Sequence, residues 1–105
     1  MSIETNPVEA MCTVTAGGAS FLAGSKAPGC TAVVNGGVGL NDVQLDNPIA
    51  ATQMVMSATP RTAVADCGVQ VIATDATHVR VRTFAAGVLA DTVAFDLLVF
   101  RIPSV

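Results

Sequence analysis

Apolar and polar side chains alternate most regularly in the last quarter of the chain, from His78 to Arg101. Successive side chains of an extended strand leave opposite faces, so alternation with period two reads as a half-buried strand. Over 78–84 it places Val79, Val81 and Thr83 on one face, and His78, Arg80, Arg82 and Phe84 on the other. Over 92–101 Val93, Phe95, Leu97 and Val99 share a face, opposite Ala94, Asp96, Leu98 and Phe100. With a small-residue turn between them, the two segments read as a β-hairpin. Matching the apolar faces predicts Thr83 opposite Phe95, Val81 opposite Leu97 and Val79 opposite Val99. The same register sets Arg82 opposite Asp96, a cross-strand charge pair of roughly 0.2–1 kcal/mol. A slip of one residue would turn Arg80 and Arg82 to the core, where unpaired charge is costly.

The outer face of this hairpin would mix Leu98 and Phe100 with Arg80, Arg82 and Asp96. A loop or the N-terminal arm would cover the two large apolar side chains in one reading. In the other, these five residues form a subunit or partner contact, because an apolar patch rimmed by charge marks interfaces.

Upstream, residues 1–10 read as a polar N-terminal arm. Strands are expected over 11–15, 20–23 and 30–34, with a loop of breakers over 24–29. Asn35-Gly36-Gly37 is a hairpin-turn signal, because these residues accept positive φ. The return strand, 38–46, loses its phase between Leu40 and Val43, which predicts a bulge or break near Asn41-Asp42. Asp46-Asn47-Pro48 is a turn. Residues 51–59 read as a strand with Met54, Met56 and Ala58 on one face, helix being the competing assignment for 49–58. A loop over 60–68, a strand over 69–74 and a turn at 75–77 lead into the final hairpin. Short strands, roughly six to eight of them, separated by frequent turns, predict an all-β chain. The expected architecture is a single antiparallel β-sandwich or barrel-like domain over 11–105, preceded by the arm.

Composition narrows the function classes. The chain has 105 residues, of which 51% are hydrophobic and only 12% charged, with a net charge of −3. A nucleic-acid binder would normally be basic. There is no apolar run long enough for a transmembrane helix, and the start of the chain lacks the basic and apolar regions of a signal peptide. Synthesis and use from the cytoplasm are therefore expected. The three cysteines, Cys12, Cys30 and Cys67, are widely spaced. They read as reduced, small apolar residues, or as one disulfide plus a free thiol if the protein ends up outside a cell.

Candidate chemistry is sparse. The one histidine, His78, stands beside Arg80 on a strand face, and no nucleophile-elbow motif accompanies it. Asp42, Asp46, Asp66, Asp75, Asp91 and Asp96 lie singly in or beside turns, as solvated aspartates do. Asp42 and Asp46 with Asn47 would make at most a weak calcium site, lacking the dense spacing of a helix-flanked calcium loop. Gly36, Gly37 and Gly39 separate two strands, whereas a phosphate loop opens a helix. Tryptophan and tyrosine are absent, so the stacking rings of sugar- or single-strand-binding surfaces are missing. No catalytic, cofactor-binding or metal residue is assigned; no cofactor is expected, and an enzyme is not.

One resemblance extends this reading. Gly36-Gly37-Val38-Gly39-Leu40, Val43 to Ile49, Thr59-Pro60-Arg61, the run His78 to Asp91 and Phe95 to Arg101 together look like a small β-sandwich module of tailed-bacteriophage virion proteins. Such modules occur in tail fibres, head fibres and capsid decoration (cement) proteins. They show a V-x-V-x-T-F strand, a glycine turn ending in aspartate, and a closing F-x-V-x-V-F-R type strand. The resemblance covers about residues 35–101; residues 1–34 match no pattern of the group. It implies a virion structural protein, made in the host cytoplasm. The start at Met1 and the short length favour a free-standing decoration protein. It would bind the major capsid protein of the assembled head as a homo-oligomer, a trimer foremost, with no nucleic-acid or membrane partner. A tail-fibre or head-fibre receptor-binding module is the alternative.

Overall fold

The strands at the two ends of the expected hairpin lie in different sheets. The computed structural model describes residues 8–17, 20–61 and 66–102. It comprises β1 (Val8–Val14), β2 (Cys30–Gly37), β3 (Leu40–Leu45), a 3-10 turn (Ala51–Gln53), β4 (Met54–Pro60), β5 (Gly68–Asp75), β6 (His78–Ala85), β7 (Val88–Leu89) and β8 (Phe95–Arg101). The smaller sheet has three strands in the order β1-β8-β4. The larger has five: β2-β3-β6-β5, with β7 added to β6. Every pairing is antiparallel. The chain is thus an all-β sandwich, as its alternation predicts.

The inward faces are those expected from the sequence. Val79, Val81 and Thr83 of β6 are buried, as are Phe95, Leu97 and Val99 of β8. They join Ala10, Cys12, Val14, Val33, Val43, Leu45 and Met54 in one core between the sheets, with Thr83 and Asn41 as buried polar members. The expected partnership of β6 with β8 is wrong. β6 is a central strand with β3 and β5 as neighbours, and β8 lies between β1 and β4. Arg82 therefore does not face Asp96. Stacking two inward faces across a sandwich buries them as well as lining them up in one sheet, so face matching alone could not choose.

Smaller corrections have local causes. The expected turn at Asn35-Gly36-Gly37 lies inside the ladder as a register irregularity between Asn35 and Gly37. Asn35 Oδ1 accepts from the Gly37 amide at 2.8 Å there, and the chain reverses at Val38-Gly39 instead. The irregularity expected near Asn41-Asp42 falls on the partner strand: the β2–β3 register shifts between Asn35–Asn41 and Gly37–Leu40, while β3 pairs with β6 in continuous register from Leu40 to Gln44. The lost phase is absorbed by turning Asn41 inward, where its Nδ2 donates to the Val81 carbonyl at 3.2 Å. The strand expected over 20–23 reduces to a bridge between Val14 and Phe21. Of the arm expected over 1–10, residues 1–7 lie outside the described residues, and 8–10 already belong to β1. The strand expected over 51–59 starts at Met54 after the 3-10 turn, with Met54, Met56 and Ala58 on the core side.

Candidate functional site

Because β6 and β8 are in different sheets, the five expected interface residues divide. Arg80 and Arg82 belong to the outer face of the larger sheet. Asp96, Leu98 and Phe100 belong to the outer face of the smaller one. Each face has its own character.

On the smaller sheet, register sets the outward residues in rows across β1, β8 and β4. Thr13, Asp96 and Thr59 form one row; Met11, Leu98 and Ser57 the next; Val8, Phe100 and Val55 the third. Met11 and Val55 are exposed, and Leu98 and Phe100 half-buried. No loop of the described residues covers them fully. The patch is closed at each end by charge. At the Asp96 end Arg61 Nη1 donates to Asp96 Oδ1 at 3.1 Å, and Thr13 Oγ1 donates to the same oxygen at 2.6 Å. At the Phe100 end Arg101 Nε lies 2.9 Å from Glu9 Oε1. A depression of about 270 Å³ beside Leu98, lined by Met11, Thr13, Asp96 and Lys26, opens on this face.

On the larger sheet the outer face is charged. Asp42 of β3 faces Arg80 of β6 and takes a two-pronged hydrogen bond, Nε to Oδ1 at 2.9 Å and Nη2 to Oδ2 at 3.0 Å. The carboxylate raises the Arg80 pKa above its already high ordinary value. Arg82 Nη1 reaches Gln70 Oε1 at 3.5 Å. At the β5–β6 turn Asp75 Oδ1 lies 2.9 Å from His78 Nδ1 and accepts from the Thr77 amide at 2.8 Å. These bonds, that to His78 foremost, hold the Asp75 carboxyl down to about 2. Val34, Asp42, Gln44, Thr74, Asp75, His78 and Arg80 enclose a shallow depression of about 340 Å³.

The remaining candidates separate in the same way. His78 Nδ1 is engaged by Asp75 and Thr77 of its own turn. Asp42 and Asp46 have different partners, Arg80 and Thr31. Among the described residues no three histidine, cysteine or carboxylate side chains gather where they could hold a metal ion. Sequence reading missed Met11 and Val55 as parts of the smaller sheet's face. Their outward phase is legible in the sequence, but no local pattern places β1 and β4 beside β8.

Asp91 has a structural part that no spacing announced. Its Oδ1 accepts from the Gly39 amide at 2.7 Å, and its carbonyl from the Gly17 amide at 2.6 Å. Asn35 Nδ2 donates to the Gly17 carbonyl at 2.7 Å. One end of the sandwich is tied together by these bonds.

Fold and surface define the class: an all-β sandwich with one charged outer face and one apolar outer face. Comparison with protein-family models, with curated proteins and with solved structures found no match.

Proposed function

We propose that the chain is a virion structural protein of a tailed bacteriophage, a capsid decoration protein that docks on the assembled head through its smaller sheet. The observation that carries this reading is the apolar patch of Met11, Val55, Leu98 and Phe100 on an outer sheet face, bounded by Arg61–Asp96 and Arg101–Glu9. A patch of this composition suits an interface with a desolvated centre and a polar rim. The sequence pattern over 35–101 supplies the virion context, and a charged content of only 12% suits a surface made for contact. The partner in this reading is the major capsid protein, and self-association as a trimer belongs to the same resemblance.

The mechanism is linkage and needs no bond-making chemistry. A protein that binds the assembled shell but not its loose subunits stabilises the shell by mass action, about 2.7 kcal/mol per site when free ligand stands at a hundred times Kd.

Antibody labelling of intact particles from the source of this chain, read by electron microscopy, tests the proposal. Label spread over the heads, with heads that rupture at lower temperature once stripped of it, is the expected result. Label at tail tips alone would replace decoration by the receptor-binding reading. Unlabelled particles would overturn both.

A further inference from the structure

β1 and β2 are edge strands, one of each sheet, and they meet along one open seam of the sandwich. The chain entering β2 is pressed against β1 there. The Met11 amide donates to the Pro28 carbonyl at 3.0 Å, which ties the two segments across the seam. Gly29, at φ +79°, lies so close to β1 that a side chain at this position would run into the Glu9 carbonyl and the Ala10 Cα. The Gly29 carbonyl accepts from the Asp46 amide at 2.8 Å, fixing the same turn to the end of β3.

This crossing brings two thiols together. Cys12 points inward from β1 and is buried; Cys30 opens β2 opposite Leu45 and is half-exposed against the same core. The Cys30 Sγ lies 3.9 Å from the carbonyl of Met11, the residue before Cys12. Each thiol perturbs the other, raising the pKa of Cys12 and lowering that of Cys30. Both cysteines are reduced in this structure.

We propose that Cys12 and Cys30 are a reversible disulfide pair that staples the edges of the two sheets together. A small-molecule disulfide is the oxidant. The Cys30 thiolate attacks one of its sulfurs and expels a small thiolate, leaving a mixed disulfide on Cys30. The Cys12 thiol then gives its proton to solvent, and its sulfur attacks the Cys30 sulfur and expels the second small thiolate. Two protein thiols and one small disulfide become one protein disulfide and two small thiols. Cys30 takes the first step because it is the more accessible of the two, and the neighbouring Cys12 thiol lowers its pKa. Cys12 is the resolving thiol, its pKa raised by the neighbouring Cys30 and by burial. Cys67 takes no part. Stapling would matter in an oxidising medium, where the closed form resists the opening of the seam that the Met11–Pro28 hydrogen bond ties.

The test is incubation of the folded protein with oxidised glutathione, followed by peptide mapping and thermal unfolding. The expected product has one intramolecular Cys12–Cys30 disulfide and one remaining free thiol, at Cys67. Its Tm lies above that of the reduced protein, and dithiothreitol reverses the shift. In Cys67→Ala the reaction should be unchanged. In Cys30→Ser it should be lost while the reduced fold persists, as circular dichroism would show. Stable mixed disulfides at Cys30 without closure, bridges through Cys67, or three thiols that stay reduced in the folded protein would overturn the proposal. So would a closed form with an unchanged or lower Tm.

Discussion

Asp42 and Arg80 face each other across β3 and β6, joined by two parallel hydrogen bonds of 2.9 and 3.0 Å. The guanidinium fork matches the carboxylate edge, so this pair carries geometry as well as charge. It lies at the middle of the outer face of the larger sheet, between Val34 of β2 and Ile72 of β5. If the fork matters, Arg80→Lys keeps the charge yet lowers Tm, and Asp42→Asn does the same. Combined, the two changes should lower Tm by less than the sum of the separate effects. A double-mutant cycle by thermal unfolding checks this; additive losses would refute the coupling.

The Asp75–His78 contact predicts a pH dependence. Asp75 is held down to about 2 in the folded protein, from an ordinary 3.8. Between those values the unfolded chain binds a proton at this position that the folded chain does not. The contribution to stability is therefore complete above about pH 4 and is lost as pH falls toward 2. Urea unfolding of wild type and Asp75→Asn at a series of pH values should show the variant with a shallower slope across this window. Parallel slopes would count against the contact.

Leu97 and Leu98 are adjacent in sequence and opposite in environment. Leu97 is buried in the core, so Leu97→Ala should cost about 2–5 kcal/mol in chemical unfolding. Leu98 lies half-buried on the outer face of the smaller sheet. Leu98→Asp should therefore stay folded by circular dichroism and, if that face is a contact, sediment as a smaller assembly or fail to bind heads. A Leu98→Asp protein that binds and assembles as wild type would remove this face from consideration.

Gly39 turns the β2–β3 hairpin at φ +69° against the β6–β7 segment. A Cβ there would stand 2.7 Å from the Thr83 carbonyl oxygen and 2.9 Å from the Ala90 nitrogen. Gly39→Ala should lose at least about 1–2 kcal/mol from the left-handed backbone alone, and more from the collision with backbone atoms. Gly87, at φ +79° in an open turn, meets nothing within 4 Å, so Gly87→Ala incurs only the backbone penalty. Chemical unfolding of the two variants side by side separates strain from collision; equal losses would mean the hairpin gives way freely.

Period-two alternation told which sides of β6 and β8 are buried, because a side chain's face depends only on its place in its own strand. Val79, Val81, Phe95, Leu97 and Val99 face inward as their spacing predicts. The exception is Asn41, a polar residue turned into the core by a register that its own identity opposes. A bulge would have kept it out, but the unbroken ladder to β6 and the bond to Val81 hold it in.

Which strands become neighbours was left open by the sequence, and the candidate site followed from that choice. Arg82 and Asp96 suit one another in a hairpin, yet in the fold Arg82 turns to Gln70 while Asp96 holds Arg61 and Thr13. The apolar patch joins Met11, Val55, Leu98 and Phe100 from three strands far apart in the chain, and the Cys12–Cys30 meeting joins two sheets. Local pattern determined the all-β class, most of the strands and the buried sides of β6 and β8, since these depend on residues a few positions apart. Tertiary structure alone decided pairing, the division into two sheets and the surfaces they present, because several strand arrangements bury the same faces and only close packing of the whole chain selects among them.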